Sequence, residues 1–398
     1  MLQALKGIKV VELTIAGAGP SCGRILHDLG TENILIEPSN GTVTRVLAGF
    51  DYYTAGKKSV VLNTKTAEGY EALCRIIKES DVFLANYRVK GLKKMKLSYE
   101  DVKAINPSIV YAVLTGYGEE GPIADEPGNN VSAFYARGGV LHPMSQGEVV
   151  PYGTIAFGDI ATGLSLAFGI VSALYNRKVT GEGCKVESSL LQTALFFNHD
   201  PMIEVQRGDT FPKSRETPKR ALVNSYRCKD GRSIYICLAE LPPFFRLMKE
   251  CGREDYLKQN TFESITDTMD DKAPAVVKVL DEEFGKRDSD EMIEILHRAD
   301  CSAQKIATVE ESLEDPQAWA NNYLYRGKDS RTGQDMIYPA MPAQIGDMEN
   351  LPYVRGPHLG EHSVEILKRF GFSDQEIQEM IDKKVTIDGS KENVFKGF

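Results

Sequence analysis

Two features of this chain carry the residue types that chemistry needs: a single aspartate, Asp159, and the basic run from Tyr87 to Lys96. Asp159 stands in FGDIATGLSLAFG, after a glycine and ahead of an apolar helical run from Leu164 to Leu174. One reading makes it a helix cap, accepting first-turn N–H groups for about 1 kcal/mol with no further purpose. The other makes it a nucleophile. A carboxylate at a helix N-terminus is expected to stay ionised, Gly158 leaves room for a substrate to approach the backbone, and aspartate is a recognised nucleophile towards activated acyl groups. On local pattern alone the cap leads.

The basic run places five cations, Arg88, Lys90, Lys93, Lys94 and Lys96, within ten residues of a chain whose formal net charge is −9. It directly follows DVFLAN (81–86), which reads as a strand. Ligands of open α/β sheets gather outside the carboxyl ends of parallel strands, so an anion site competes here with a merely solvated face.

The elements that must position these groups follow from the hydrophobic pattern. IKVVEL (8–13), NILIE (33–37), GKKSVVLN (56–63), DVFLAN and IVYAVLTGYG (109–118) read as strands, alternating with helices over 21–29 and 66–78. That alternation predicts a Rossmann-like α/β domain with a mainly parallel sheet. The glycines after the first strand, Gly17, Gly19 and Gly23, miss the dinucleotide spacing, the third falling one place late with Pro20 intruding, so they read as a tight turn and close helix packing. The expected organisation is a large α/β domain over 1–200, a linker over 201–224, a small α+β domain over 225–314 opened by a hairpin turning at Asp230-Gly231, a return to the large domain over 315–388 and a polar tail over 389–398.

Composition excludes several classes. With 398 residues, 26% of them charged, and a pI near 5.4, the chain is a soluble multidomain protein with no pull towards nucleic acid or anionic membrane. No run of about 18 apolar residues is free of charges or turn signals, and MLQALKGIKVVEL is not patterned as a secretory leader, which predicts a cytoplasmic protein. Seven scattered cysteines without a C-x-x-C pair fit buried, reduced thiols. His358-Leu-Gly-Glu361-His362 has the outline of a zinc motif, but Pro357 and Gly360 break the helix that it requires, so no metal is expected.

Taken in order, KVVEL with Ala18-Gly19-Pro20, GKKSVVLN, DVFLANYR, TGYGEEGP, GDIATG with its apolar helix, TGEGCKVESSLLQTAL, YRCKDG and PHLGEH resemble the pattern of the family III CoA-transferases. The resemblance implies that Asp159 attacks an acyl-CoA thioester, giving an aspartyl anhydride and then an aspartyl CoA-thioester, with no permanently bound cofactor. Coenzyme A and acyl-CoA are then substrates, and a carboxylic acid is the acceptor. By position it implies that Ala18, Lys57, Asn86, Tyr87, Arg88 and Lys94 hold CoA, the basic ones at its phosphates, and that the protein is an interlocked homodimer. Backbone N–H groups near Gly116 to Gly118 are expected as oxyanion donors. The chain departs from the family pattern at Gly17, where some members have Gln, and at Ala85, which replaces Glu; 212–227 also lacks a Gly-rich closing loop. The same fold serves α-methylacyl-CoA racemases, which pair the aspartate with a His in Gly-His-Asp; here the segment reads Gly128-Asn129-Asn130, which removes the proton shuttle. A non-catalytic acyl-CoA or nucleotide-binding protein, with Asp159 as a cap, is the remaining alternative.

Overall fold

The computed structural model describes residues 3–146, 149–152, 156–346 and 353–390. Gly153 to Ile155, which open the Asp159 stretch, and most of the expected polar tail lie outside the described residues. The chain divides into two compact units, one of Met1–Val140, Gly153–Asp200 and Pro316–Phe398, the other of Leu141–Tyr152 and Pro201–Asp315.

The first unit is built on β1 (Lys9–Leu13), α1 (Ala18–Asp28), β2 (Glu32–Glu37), α2 (Phe50–Thr54), β3 (Lys58–Val61), α3 (Ala67–Lys78), β4 (Val82–Ala85), α4 (Val89–Lys94), α5 (Tyr99–Ile105) and β5 (Val110–Thr115). After α6 (Leu141–Met144), which belongs to the second unit, it continues with α7 (Phe157–Thr180), β6 (Lys185–Ser189) and α8 (Leu190–Phe197). The six strands form one parallel sheet in the order β3-β2-β1-β4-β5-β6. Strands such as VFLA and VYAVLT are buried along their whole length, as strands covered by helices on both faces must be. The winding reverses between β1 and β4, so their carboxyl ends flank the crevice where such sheets bind ligands.

The helix after β1 starts earlier than the sequence pattern indicates. Ser21 was the expected first residue, yet α1 begins at Ala18 and takes Pro20 into its first turn, where no N–H is needed. The C-terminal return covers the β3 edge: Ser363 Oγ accepts from Val61 N at 3.0 Å and Thr386 Oγ1 donates to Val61 O at 2.7 Å. Its helix Asp374–Asp382 has the capping box of Ser373 and Glu376 that the sequence pattern calls for.

In the second unit, β7 (Val223–Arg227), β8 (Ser233–Cys237) and β9 (Ala303–Lys305) form an antiparallel sheet over a core that includes Tyr226, Phe244, Leu280 and Phe284. Gly231 takes φ +84° in the β7–β8 turn. Residues 201–224 fold with this unit, where Arg215 pairs with Asp281 at 2.7 Å and Lys213 and Lys219 hold Asp209. All seven cysteines are free; Cys237, contrary to the buried expectation, is exposed on the outer face of β8.

Candidate active site

Asp159 sits at the third position of α7, not at its cap: the N-cap is Ala156, which has no side chain able to cap. The capping reading is therefore overturned: among the described residues no first-turn N–H donates to the Asp159 carboxylate. The fold instead presses the carboxylate against the start of α1. A methyl group on Gly17, the N-cap of α1, would lie 2.4 Å from Asp159 Oδ2. The place at which a dinucleotide fold seats a phosphate is thus taken by the protein's own carboxylate.

Burial outweighs the favourable helix ends. It pushes the Asp159 carboxyl from 3.8 up to about 6, against the expectation that a helix N-terminus keeps it fully ionised. Two consequences follow. Reactions that need the carboxylate are expected to lose rate as pH falls below about 6, seen as an acid limb in kcat/KM. In stability the sign is opposite to that of a salt-bridged acid. The folded state binds the proton more tightly than the unfolded chain, so ionisation of Asp159 costs stability as pH rises from 3.8 through about 6. Asp159→Asn is expected to be more stable than wild type at pH 7, by on the order of 2–3 kcal/mol at most, with the two converging below pH 4 in urea titrations.

Gly158 does not open the site to substrate as its place in the sequence implied. A methyl group there would lie 2.3 Å from Phe134 Cγ and 2.6 Å from Asn130 Oδ1, so the absent side chain lets α7 seat against the π-helical segment Asn130–Arg137. Asn129 caps that segment, its Oδ1 accepting from Val131 N and Ser132 N at 3.0 Å each. The position of the racemase histidine is therefore filled by a structural amide.

The expected CoA residues separate into groups. Asn86, at the carboxyl end of β4, pins the loop after β1: its Oδ1 accepts from Ile15 N and its Nδ2 donates to Ile15 O, both at 2.8 Å. Ala18 is buried in the first turn of α1, and a methyl group on Gly19 beside it would meet Asn86 Cγ at 2.8 Å. Half-buried Tyr87 packs on the core of the parallel sheet, and burial raises its phenol. Exposed Arg88 is the N-cap of α4 and donates to Asp125 O at 3.0 Å. Lys94 is exposed in the last turn of the same helix, with no acidic partner among the described residues. These five border the crevice between β1 and β4 or the helix leading from it.

Lys57 is placed elsewhere. Its side chain is 0% exposed, Nζ lies 2.8 Å from Glu12 Oε2, and it donates to Pro20 O at 3.0 Å. An ammonium committed in this way has no charge to offer a phosphate, so this geometry gives its expected CoA role no support. Of the oxyanion donors expected near 116–118, Gly118 N already donates to Thr115 Oγ1 at 2.9 Å. In the zinc-like motif, Glu361 accepts from His358 N and pairs with Arg355 at 2.7 Å.

A carboxylate raised by burial, beside the ligand crevice of a doubly wound sheet, is the setting in which the comparisons with known proteins are decisive. The model of CoA-transferase family III matches residues 5–363. The chain belongs to CoA-transferase family III. A (R)-2-hydroxy-4-methylpentanoate CoA-transferase of Clostridioides difficile is 35% identical over 396 residues, spanning 96% of this chain and 99% of that protein. A cinnamoyl-CoA:phenyllactate CoA-transferase of Clostridium sporogenes is 34% identical over 393 residues, 94% and 95% of the two chains. More distant is the human alpha-methylacyl-CoA racemase, 27% identical over 394 residues, 96% and 97% of the two. Among solved structures, a CAIB/BAIF family protein from Brucella suis superposes with a TM-score of 0.78 at 27% identity, covering 93% of this chain and all of that one. The protein is thus an enzyme of the CoA-transferase class.

Among the described residues α7 is the one helix long and apolar enough to cross a membrane by length and composition. One stripe of it, with Leu166, Ile170 and Leu174, is buried against the sheet and α1. Phe168, Tyr175 and Val179 on its other side are exposed, as are Phe196 and Phe197 of α8.

Proposed function

We propose that the protein transfers CoA from an acyl-CoA donor to a carboxylic acid, through an anhydride and then a CoA-thioester on Asp159. The observation that carries this reading is the Asp159 carboxylate itself: raised to about 6 by burial, pressed against the start of α1 and beside the β1–β4 crevice. An anion that burial destabilises is a better nucleophile than one held by hydrogen bonds, and at neutral pH it is still mostly ionised. Asp159 Oδ attacks the thioester carbonyl and CoA leaves as thiolate. The thiolate then attacks the aspartyl carbonyl, releasing the donor acid and leaving the enzyme thioester, which the acceptor carboxylate resolves by the same steps reversed. Both near relatives at 34–35% identity are named for acids with a hydroxyl beside the carboxylate, which supports a 2-hydroxy acid as substrate.

Arg88 and Lys94 serve the CoA phosphates in this reading, with Ala18, Asn86 and Tyr87 shaping the crevice. Lys94→Ala is expected to raise KM for acyl-CoA about 3- to 10-fold with kcat unchanged, and to have no effect on a pantetheine thioester that lacks the nucleotide. The working form in this reading is a homodimer in which a second copy covers the exposed apolar face of α7 and α8. Clustered exposed aromatic and aliphatic side chains of this kind mark interaction surfaces. Light scattering is expected to give twice the 44.1 kDa chain mass, and Phe168→Asp to shift it to the monomer.

The reading is tested by incubating the enzyme with acyl-CoA, trapping with hydroxylamine or borohydride, and mapping the adduct by mass spectrometry. Modification at Asp159 supports it. Efficient turnover with no adduct at Asp159, or exchange of the substrate α-proton without CoA transfer, would overturn it.

A further inference from the structure

We propose that Gly17 is a positioning residue for the nucleophile: lacking a side chain, it leaves the Asp159 carboxylate a seat against the start of α1 that any larger residue would take away. The inference rests on Asp159 being the nucleophile, and adds what fixes its place.

The contact is with one side chain. A methyl group on Gly17 would lie 2.4 Å from Asp159 Oδ2, 3.0 Å from its Cγ and 3.2 Å from its Cβ. The first of these is about 1 Å short of ordinary van der Waals contact. The backbone does not call for glycine here. Gly17, as N-cap of α1, takes φ −105° and ψ −54°, which alanine adopts without strain. What calls for glycine is the carboxylate.

Neither wall of the seat can give way. On the α1 side, the loop from β1 is tied down residue by residue. Asn86 accepts from Ile15 N and donates to Ile15 O, both at 2.8 Å, and Thr44 Oγ1 donates to Ala16 O at 3.2 Å. Ser21 donates to Gly17 O through its N at 2.9 Å and its Oγ at 2.8 Å. Between them Ala16 is held at φ +60°, a conformation that a residue other than glycine keeps only where its surroundings over-determine it. On the α7 side, Gly163 stands one turn beyond Asp159. A methyl group there would lie 2.8 Å from Ala18 O and 3.0 Å from Cys22 N, so α7 rests on the bare backbone of α1. A side chain at position 17 therefore has to push the carboxylate aside. A nucleophile displaced by about 1 Å loses its alignment with the thioester carbon, which costs up to about 10²-fold in rate.

Gly17→Ala adds only the methyl group. It is expected to lower kcat about 10- to 100-fold, with KM for acyl-CoA within about threefold of wild type. The acid limb of kcat/KM should also move down from about 6 towards 3.8, because the displaced carboxylate regains water. Urea denaturation separates this from a general packing defect. Gly17→Ala should lower the urea midpoint when Asp159 is present and leave it unchanged or higher in an Asp159→Ala background, where the two nearest of the three atoms are gone. A kcat within twofold of wild type, an unmoved acid limb, or an equal loss of midpoint in both backgrounds would overturn the proposal. If Gly17→Ala alone does not fold, folding of the double variant supports the proposal and its failure to fold overturns it. Absence of any trapped acyl group in wild type would instead remove the nucleophile reading beneath it, while the midpoints still report the contact.

Discussion

Replacement of Asp159 by Ala or Asn is expected to lower kcat for CoA transfer by about 10⁴-fold or more, since neither a methyl group nor an amide can take over covalent catalysis. The loss should be confined to chemistry. CoA phosphates are expected at Arg88 and Lys94, on α4, whereas Asp159 meets the thioester end, so equilibrium binding of CoA should stay within a few-fold of wild type. Unfolding cannot account for the loss, because removing a carboxylate that burial holds at about 6 makes the fold more stable at neutral pH. Three measurements on one Asp159→Asn preparation therefore check the assignment: steady-state transfer, calorimetric CoA binding and urea denaturation. An Asp159→Ala enzyme that keeps a tenth of wild-type kcat would sink the nucleophile assignment. A variant that unfolds more readily than wild type at pH 7 would instead refute the burial argument.

Replacement of Lys57 by Met is expected to destabilise the protein by about 3–5 kcal/mol, the range for removing one partner of a buried ion pair. Glu12 is fully buried, and among the described residues it accepts, besides Lys57, only from the neutral Thr14 and Asn33, so without the ammonium its charge is left uncompensated. The outcome separates two roles for Lys57. A phosphate contact would raise KM for acyl-CoA at nearly unchanged stability, whereas a structural ion pair loses stability and leaves KM in the surviving folded fraction alone. Urea midpoints with CoA titrations distinguish them. The double variant Glu12→Leu with Lys57→Met should recover much of the loss, because two apolar side chains replace the pair without leaving a charge behind.

Much of the fold was legible because its strands are short, apolar and bounded by turn residues. Continuous runs such as VVEL and VYAVLT pointed to a parallel sheet buried on both faces, and the sheet is there in doubly wound order. Caps written in contiguous residues, such as Ser373 with Glu376, were read correctly for the same reason: each depends on a few neighbours along the chain. The start of α1 was misplaced because Pro20 and the glycines before it were read as a turn, whereas the first turn of a helix accepts a proline.

The site divides along the same line. Sequence identified Asp159 and the cations after β4, since residue type and order along the chain carry that information, and the resemblance named the chemistry. The chain itself does not write down which charges are already spent. Lys57 and Arg88 look alike in sequence; packing buried one against Glu12, 45 positions away, and left the other exposed at the mouth of the crevice. What the sequence determined by itself was the inventory, one candidate nucleophile, one basic run and a parallel sheet, because these depend on composition and local period. The tertiary structure alone decided that Asp159 is no cap and carries a raised pKa, and that Gly158 is a packing position, because desolvation and close approach exist only once distant segments are brought together.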